Sequence, residues 1–462
     1  MPSGADRRRL APSRVVNALV GRWLAVLNVV VLLAGLVLGV LVGPRGFFLA
    51  ALVPLALAPF SYARWRLHRT LARAIGDVGW LVRVLAVAGI ALDVVLVVQL
   101  VTGRSAEAFP VLHGPIVGWL GPVWFSAHAL LLLGYGLVGA ARALHRVLRR
   151  ASAPLRAVGA IADGEPGVDL DRRAFLRQMS VASVALPFAA SASGVSTSYD
   201  FRVEEREVVV PGWPRALDGL RVAHLSDIHV GGGMTRERLL RVAELTNGCR
   251  PDLVAHTGDF LTHQRGDFDA PLYEALARVR APLGQWACLG NHDYDDPGRL
   301  VRRLGDAGVV VLRNRLTRVE VAGHPLELGG AEFMFGPTTR AAAYARLFAT
   351  WGGRDGGPRL LLNHDPTAFA VLPDGAADLV LSGHTHGGHV GVQLGPSRAV
   401  TVVGLLGLPD QGLFARGDMQ LFVTRCVGFY GYPMRVGIPP EIALLVLRAP
   451  GAVTAATTPR VT

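Results

Sequence analysis

Four long apolar runs within the first 140 residues constrain the fold of this 462-residue chain more than any other feature. A helix needs roughly 20 apolar residues to cross a bilayer, and all but the second run reach that length. Four buried helices of a soluble core are the alternative, but such runs would leave that core no polar face. The sequence therefore predicts an N-terminal α-helical transmembrane bundle in residues 23–140, with runs at Trp23–Val42, Phe47–Phe60, Trp80–Val101 and Ile116–Ala140.

The positive charge of the chain follows the same division. All 47 basic residues are arginine, and the net charge is +12. Residues 1–177 hold 20 arginines against 8 acidic residues, whereas residues 178–462 hold 27 of each. A charge of +12 alone would indicate a nucleic-acid binder, but 17 of the 20 arginines lie in residues 1–22, the loop between the second and third runs, and residues 141–177. The positive-inside rule makes these stretches cytoplasmic, so we expect no nucleic-acid partner.

One acidic residue, Asp93, interrupts the third run. A carboxylate inside a membrane is costly and is by default a candidate for function. The alternative is a protonated or paired Asp93 that faces His128 of the fourth run. The sequence leaves both interpretations open.

A second targeting signal follows the cytoplasmic linker 141–177. Arg172 and Arg173 resemble the pair of a twin-arginine export motif, and the weakly apolar stretch Met179–Ala190 comes next. Small residues up to Ala192 are similar to a cleavage site. We predict that residues 178–196 form a signal-like segment or a fifth transmembrane helix. We also predict that the twin-arginine machinery of a bacterial cytoplasmic membrane exports the part of the chain that follows. A soluble domain at 200–450 would then lie on the extracytoplasmic side, followed by a disordered tail at 451–462.

From Val208 onward, short apolar strands alternate with amphipathic helices at Thr235–Leu245 and Pro271–Arg280, a pattern that predicts an α/β sheet. Open α/β sheets bind ligands at the carboxyl ends of their strands. Five predicted strands end in polar residues there: Leu220–His224 precedes Asp227 and His229, Leu253–Ala255 precedes Asp259, Gln285–Leu289 precedes Asn291 and His292, Leu360–Leu362 precedes His364, and Leu379–Leu381 precedes His384 and His386.

These side chains are oxygen and imidazole donors without a thiolate, a set that suits Mn, Fe or Zn. Seven of these eight side chains, all except His292, are the candidate ligands; seven exceed the need of one ion and indicate two ions that share a carboxylate. Because side chains alternate along a strand, we expect Asp227 and His229 to point to the same face, and likewise His384 and His386. Cys249, Cys288 and Cys426 lie in apolar stretches and are expected to be core residues, not disulfides.

The ordered set resembles the calcineurin-like metallophosphoesterase superfamily over about residues 218–448. The resemblance implies a four-layer α/β domain, a β-sandwich flanked by helices, with two divalent metal ions at the sheet edge. It also implies the ligands: Asp227, His229 and His386 for one metal, Asn291, His364 and His384 for the other, and Asp259 between them.

The resemblance further implies metal-assisted hydrolysis of a phosphate ester, in which two ions activate a water and hold the phosphoryl oxygens. His292 would be catalytic and would stabilise or protonate the leaving oxygen. Many members carry an acid three residues after the bridging Asp, which orients this His. Here that position is Thr262, followed by His263, so Asp293 and Asp295 are the candidate substitutes.

The motif Gly383–Gly388 and the stretch Arg435–Ile442 are similar to a bacterial branch of exported or membrane-associated phosphoesterases, some of which are UDP-2,3-diacylglucosamine hydrolases. His389 stands where that branch usually has Gln, either as a substrate contact or as a neutral exchange. The lipid A reaction takes place at the cytoplasmic face, so the predicted topology disfavours that substrate.

The expected function is a membrane-anchored phosphoesterase that acts on a phosphomonoester, phosphodiester or pyrophosphate bond, with a lipid-linked or cell-envelope substrate. A non-catalytic membrane sensor or scaffold with a vestigial domain is one alternative, and the intact ligand set argues against it. A transporter or channel with an enzymatic appendage is the other, and Asp93 is the polar feature that supports it.

Overall fold

The computed structural model describes residues 115–151, 170–231, 233–262, 268–336, 339–352, 357–395, 398–430, 433–451 and 460–461. The chain divides into two compact units, Met1–Ala192 (unit 1) and Ser193–Thr462 (unit 2). Each unit is described by itself.

Two helices are described toward the end of unit 1: α1, Pro115–Ala151, and α2, Leu170–Thr197, which continues into unit 2. Among the described residues, Ser126–Val147 of α1 is the one helical stretch long and apolar enough to cross a membrane, and it overlaps the fourth predicted run. Helix α2 covers the predicted fifth crossing but does not reach that apolarity, because serines interrupt its apolar residues. The first three predicted runs, with Asp93, lie outside the described residues.

Unit 2 contains most of the regular structure. Its helices are α3 (Arg236–Gly248), α4 (Ala270–Leu276), α5 (Pro297–Asp306), α6 (Arg340–Thr350) and α7 (Val402–Leu405). Its strands are β1 (Arg202–Val209), β2 (Leu220–Leu225), β3 (Leu253–His256), β4 (Gln285–Ala287), β5 (Val309–Val311), β6 (Arg315–Val321), β7 (His324–Ala331), β8 (Arg359–Asn363), β9 (Leu379–Ser382), β10 (Gly391–Gly395), β11 (Arg398–Thr401), β12 (Gly412–Arg416), β13 (Met419–Val423), β14 (Glu441–Arg448) and β15 (Arg460–Val461).

Two mixed sheets form the centre of unit 2. The first has the order β1-β14-β2-β3-β4-β5, in which β14 runs antiparallel to β2 and parallel to β1. The second has the order β15-β12-β13-β9-β8-β7-β6, in which β7, β8, β9 and β13 are parallel. Strands β10 and β11 form a separate antiparallel hairpin.

The core of unit 2 lies in three layers of apolar side chains. Leu253 of the first sheet and Leu360 of the second belong to one cluster, so the sheets pack face to face. On the outer face of the first sheet, Leu272 of α4 packs in the same cluster as residues of α3 and α5. On the outer face of the second sheet, Tyr344 of α6 packs against Leu361. The predicted α/β domain is therefore confirmed, with a helix layer outside each of two sheets.

The predicted elements differ from the observed ones mainly at their ends. The predicted helix Pro271–Arg280 ends at Leu276, and the predicted strand Gln285–Leu289 ends at Ala287. Helix α3 begins at Arg236 because Thr235 is its N-cap, whose side chain accepts from the Arg238 N–H. Within the predicted tail, strand β15 pairs with β12 at Phe414 and Ala415.

Candidate metal centre

The predicted site residues meet at one edge of unit 2. Strands β2, β3 and β4 are parallel neighbours in the first sheet, and β8 and β9 are parallel neighbours in the second. Their carboxyl ends therefore lie together, and the loops that follow carry all seven predicted metal ligands.

One group of donors surrounds Asp227. Its Oδ1 lies 3.2 Å from Nε2 of His386 and 3.7 Å from Nε2 of His229. The two imidazole rings are stacked, with centroids 5.2 Å apart. All three side chains are buried, and both Nε2 atoms lie within 4 Å of the Asp227 carboxylate. This is the arrangement that a metal ion needs from carboxylate and imidazole ligands.

A second group surrounds His364. Its Nε2 lies 3.1 Å from Oδ1 of Asn291 and 3.0 Å from Nδ1 of His384. The same Nε2 lies 3.3 Å from Oδ2 of Asp259. Oδ2 of Asp259 is also 3.5 Å from Nε2 of His229 in the first group. One carboxylate oxygen therefore lies between the two groups, as the shared ligand of the prediction requires.

Backbone carbonyls fix the orientation of two of these rings. Nδ1–H of His364 donates to the Thr257 carbonyl at 2.7 Å, which leaves Nε2 facing the site. Nδ1 of His386 lies 3.3 Å from the Gly428 carbonyl, with Nε2 toward Asp227. Bonds of this kind select the tautomer that coordinates a metal.

The charges and unsatisfied atoms of the site fit a cation. Oδ1 of Asp227 and both ring nitrogens of His229 are buried without a hydrogen-bond partner. Burial lowers the pKa of His386 to about 4, so this ring is neutral at pH 7, the form that binds a metal. Burial also acts to lower the pKa of His364, but the Asp259 and Asp227 carboxylates outweigh it and raise that pKa to about 10. The two carboxylates thus favour a positive charge between them.

Strand alternation was the predicted reason why Asp227 and His229 point to the same face, and this reason is wrong. Strand β2 ends at Leu225, so Asp227 and His229 lie beyond it, and strand alternation does not apply to them. Asp227, His229, Asp259, His384 and His386 all have positive φ, between 50° and 68°. This left-handed backbone costs free energy for residues other than Gly and is typical of functional sites.

His292 lies at the mouth of the site, half-buried. Its backbone N–H donates to Oδ1 of Asp259 at 2.8 Å, and its ring packs 4.5 Å from the ring of Tyr430. Of the two candidate orienting acids, Asp295 is exposed, and Asp293 is buried and accepts backbone N–H groups of Asp259, Phe260 and Gly290. The Thr262 hydroxyl donates to the His229 carbonyl, and His263 lies outside the described residues.

His389, the residue that departs from the branch pattern, lies directly against the site. Its ring stacks on that of His386 with centroids 4.8 Å apart, and its Nδ1 lies 3.1 Å from the Met434 carbonyl. It therefore shields one face of His386.

Sequence reasoning missed two supporting residues. Cys426 is buried and free, as expected, but its Sγ lies 3.1 Å from Oδ2 of Asp227. The guanidinium of Arg435 is buried and donates to the carbonyls of His386, Arg425, Cys426 and Gly428. In the sequence, Arg435 is visible only as part of a stretch similar to a bacterial branch, because nothing local in a sequence shows which carbonyls an arginine will reach.

Comparison with known proteins places this site in a family. The model of the calcineurin-like phosphoesterase family matches residues 220–388, which include all seven predicted ligands. A transmembrane protein with metallophosphoesterase domain from Danio rerio is 30% identical over 346 residues, 71% of this chain and 74% of that protein. The chain belongs to the calcineurin-like metallophosphoesterase family. It is accordingly a metal-dependent phosphoric ester hydrolase, and its family uses divalent metal ions.

Bacterial relatives match about half of the chain. The metallophosphoesterase YkuE of Bacillus subtilis is 30% identical over 51% of this chain and 82% of its own length. The UDP-2,3-diacylglucosamine pyrophosphatase LpxG of Chlamydia muridarum is 25% identical over 50% of this chain and 84% of its own length.

Proposed function

We propose that this metallophosphoesterase is dinuclear. Asp227, His229 and His386 hold one divalent ion, and Asn291, His364 and His384 hold the other. Asp259 binds both. The observation that carries the proposal is the position of Asp259 Oδ2, 3.5 Å from Nε2 of His229 and 3.3 Å from Nε2 of His364. The donors are imidazole and oxygen, which suits Mn, Fe or Zn.

Bound ions would supply an acidified water and positive charge for the phosphoryl oxygens. The chain supplies orientation. The carbonyls of Thr257 and Gly428 hold the rings of His364 and His386, and Oδ1 of Asp259 holds the backbone of His292. His292 then faces the leaving oxygen and stabilises it or gives it a proton.

We further propose that residues 1–192 anchor the enzyme in a bacterial cytoplasmic membrane by several helices. The stretch Ser126–Val147 is apolar and long enough to cross a membrane. The match to the Danio rerio transmembrane protein covers more of the chain than unit 2 occupies, so it extends into unit 1. Arginine placement and the pair Arg172-Arg173 support an extracytoplasmic unit 2 exported by the twin-arginine machinery.

The substrate we propose is a phosphomonoester, phosphodiester or pyrophosphate of a lipid or cell-envelope molecule. Among relatives, the Escherichia coli protein YaeI is named a phosphodiesterase, and LpxG is named a pyrophosphatase of a diacylated sugar nucleotide. Two exposed aromatic rings lie close to the site. Tyr430 contacts the ring of His292, and Phe335 contacts Phe333, which in turn contacts the ring of His384. These aromatic rings offer an apolar contact beside the phosphate.

Metal analysis and kinetics test the catalytic proposal. We expect the full chain to hold two ions and to hydrolyse bis-p-nitrophenyl phosphate with Mn, and a chelator to abolish the activity. Asp259→Asn should lower activity by at least about 100-fold and lower metal content. Asp252→Asn is the matched control, because Asp252 accepts a backbone N–H of Arg221 far from the site and Asn can do the same.

His292→Ala separates catalysis from metal binding. Turnover should fall by about 100-fold or more, while the metal content stays near two ions per chain. Loss of metal in this variant would contradict the assigned role. An inactive wild-type chain that still binds two ions would instead support a sensor or scaffold.

Protease accessibility tests the topology. Protease added to spheroplasts should degrade unit 2, and unit 2 should be protected in inverted membrane vesicles. The reverse pattern would place the enzyme in the cytoplasm and would restore lipid A synthesis as a candidate pathway.

A further inference from the structure

The segment of residues 391–408, described at 391–395 and 398–408, exposes aliphatic side chains beside the metal centre. It comprises the hairpin β10–β11 and helix α7. Leu405 is 76% exposed and Leu406 is 72% exposed. The other exposed members are Val392, Leu394, Val400, Val402 and Leu408. A cluster of this kind on a soluble surface indicates an interaction site.

Buried polar bonds hold the 391–408 segment in this position. Thr401 is buried; its Oγ1 donates to Oδ2 of Asp410 at 2.7 Å and accepts from the Gly404 N–H at 2.9 Å. The Asp410 carbonyl accepts from Oγ1 of Thr385, between the two site histidines His384 and His386. The apolar side chains are thus presented outward from a fixed base that is continuous with the metal-centre loop.

Backbone bonds also connect the hairpin of this segment to the point where the chain enters unit 2. The Gly391 N–H donates to the Val436 carbonyl at 3.0 Å, and the Arg435 N–H donates to the Gly194 carbonyl at 2.9 Å. The Thr197 hydroxyl also donates to the Arg435 carbonyl at 2.7 Å. Arg435 and Val436 therefore join the hairpin to residues just after Ser193. The predicted apolar runs of the chain all precede Ser193.

The composition of the segment distinguishes between partners. Residues 390–409 contain one charge, Arg398, and no aromatic residue. Protein interfaces are rich in Trp, Tyr and Arg at their centres. A surface of Val and Leu with a single exposed cation fits a bilayer instead, where the aliphatic groups enter the acyl boundary and the cation meets a lipid phosphate.

We infer that the 391–408 segment docks on the bilayer surface, with Leu405 and Leu406 inserted below the lipid headgroups. The inference rests on the proposed membrane anchoring and adds an orientation to it. The loop of His384 and His386 is then held at the headgroup level, where a phosphate ester of a lipid reaches the metal centre without leaving the bilayer.

Site-specific fluorescence on the full chain in liposomes tests the docking. The three native cysteines are buried, so Val402→Cys or Leu405→Cys can be labelled with an environment-sensitive fluorophore. Val310→Cys is the matched control, because Val310 is 45% exposed and Val402 is 47% exposed. Labels at 402 and 405 should shift to the blue, be quenched by nitroxide-labelled lipid and resist aqueous iodide. The label at 310 should be quenched by iodide alone.

Equal iodide quenching at 402, 405 and 310 would overturn the inference. Protection from both quenchers would show a protein partner or a second copy, and would also overturn it. Adding Leu406→Asp to the Val402→Cys chain should abolish lipid quenching at 402 and leave activity on a water-soluble ester unchanged. If alkaline washing removes the chain from liposomes, the anchoring proposal fails, and the same labels, mixed with vesicles, still report whether the segment docks.

Discussion

At the scale of single residues, a glycine precedes a proposed ligand at three strand ends. A Cβ on Gly290 would overlap the carboxylate and backbone N of Asp259, and a Cβ on Gly383 would overlap Ser226 and the Asp227 carboxylate. A Cβ on Gly258 would overlap the Gly290 backbone. The loops therefore approach so closely that a side chain at Gly290 would displace Asp259, which both metal sets share, and a side chain at Gly383 would displace Asp227 of the first set.

We predict that Gly290→Ala displaces Asp259, weakens metal binding and lowers activity by on the order of 100-fold, since overpacking of a dense site shifts its neighbours. Metal titration and kinetics measure the effect. Gly305→Ala in helix α5 is the control, because nothing lies near the added methyl, and it should stabilise the helix by up to about 1 kcal/mol. Normal metal affinity in Gly290→Ala would contradict the steric argument.

At the scale of elements, the metal centre depends on loops that a buried arginine holds together. Arg435 reaches carbonyls of the His386 turn and of the loop after β13. Its planar guanidinium donates to four carbonyls from two nitrogens held a fixed distance apart, whereas the three N–H groups of an ammonium all leave one nitrogen. The positive φ values of His384 and His386 are maintained by such external bonds, because their own local sequence does not favour them.

Arg435→Lys should therefore weaken metal affinity by about 10- to 100-fold, as measured by chelator competition. Arg416→Lys is the matched control. Arg416 also donates to two carbonyls, those of Ala370 and Leu372, but it does so away from the metal centre. The control should lose stability and keep its metal affinity. An equal loss of metal affinity in both variants would contradict the prediction, because it would show that Arg435 acts only through the overall stability of the fold.

At the scale of the whole molecule, a buried ion network ties the first sheet together. Oε2 of Glu441 in β14 lies 3.0 Å from Nη2 of Arg206 in β1 and 2.9 Å from Nη2 of Arg425. Burial acts to raise the pKa of Glu441, but Arg425 and Arg206 outweigh it and lower that pKa to about 2. The carboxylate therefore stabilises the fold above its unfolded pKa of 4.5, and this contribution is lost as pH falls toward 2.

We predict that Glu441→Gln lowers the free energy of unfolding at pH 7 by about 3 to 5 kcal/mol, because two buried guanidinium groups each lose a buried carboxylate, and Arg425 keeps the partly exposed Glu204. Between pH 4.5 and pH 2, the wild-type chain should lose about 3 kcal/mol more stability than the variant. Denaturant unfolding at several pH values measures both. Parallel pH curves for the two chains would refute the coupling.

The sequence alone predicted the α/β domain and the residues that meet in the site. Apolar strands that end in Asp, Asn and His are visible in one dimension, because parallel strands bring their carboxyl ends to one edge. The family match agrees with that interpretation. The arginine pattern likewise predicts a topology, since membrane orientation follows from charge along the chain.

Only the tertiary structure decided how the side chains point and what holds them. The Asp227 carboxylate accepts hydrogen bonds from the Cys426 thiol and the His384 N–H, and the His364 ring donates to the Thr257 carbonyl. Each of these bonds joins residues more than 100 positions apart in the chain. The left-handed backbone at the ligands and the outward apolar side chains at 391–408 depend on these distant contacts. Local pattern specifies which residues enter a strand or loop, whereas a strained loop conformation is stable only when the surrounding packing enforces it.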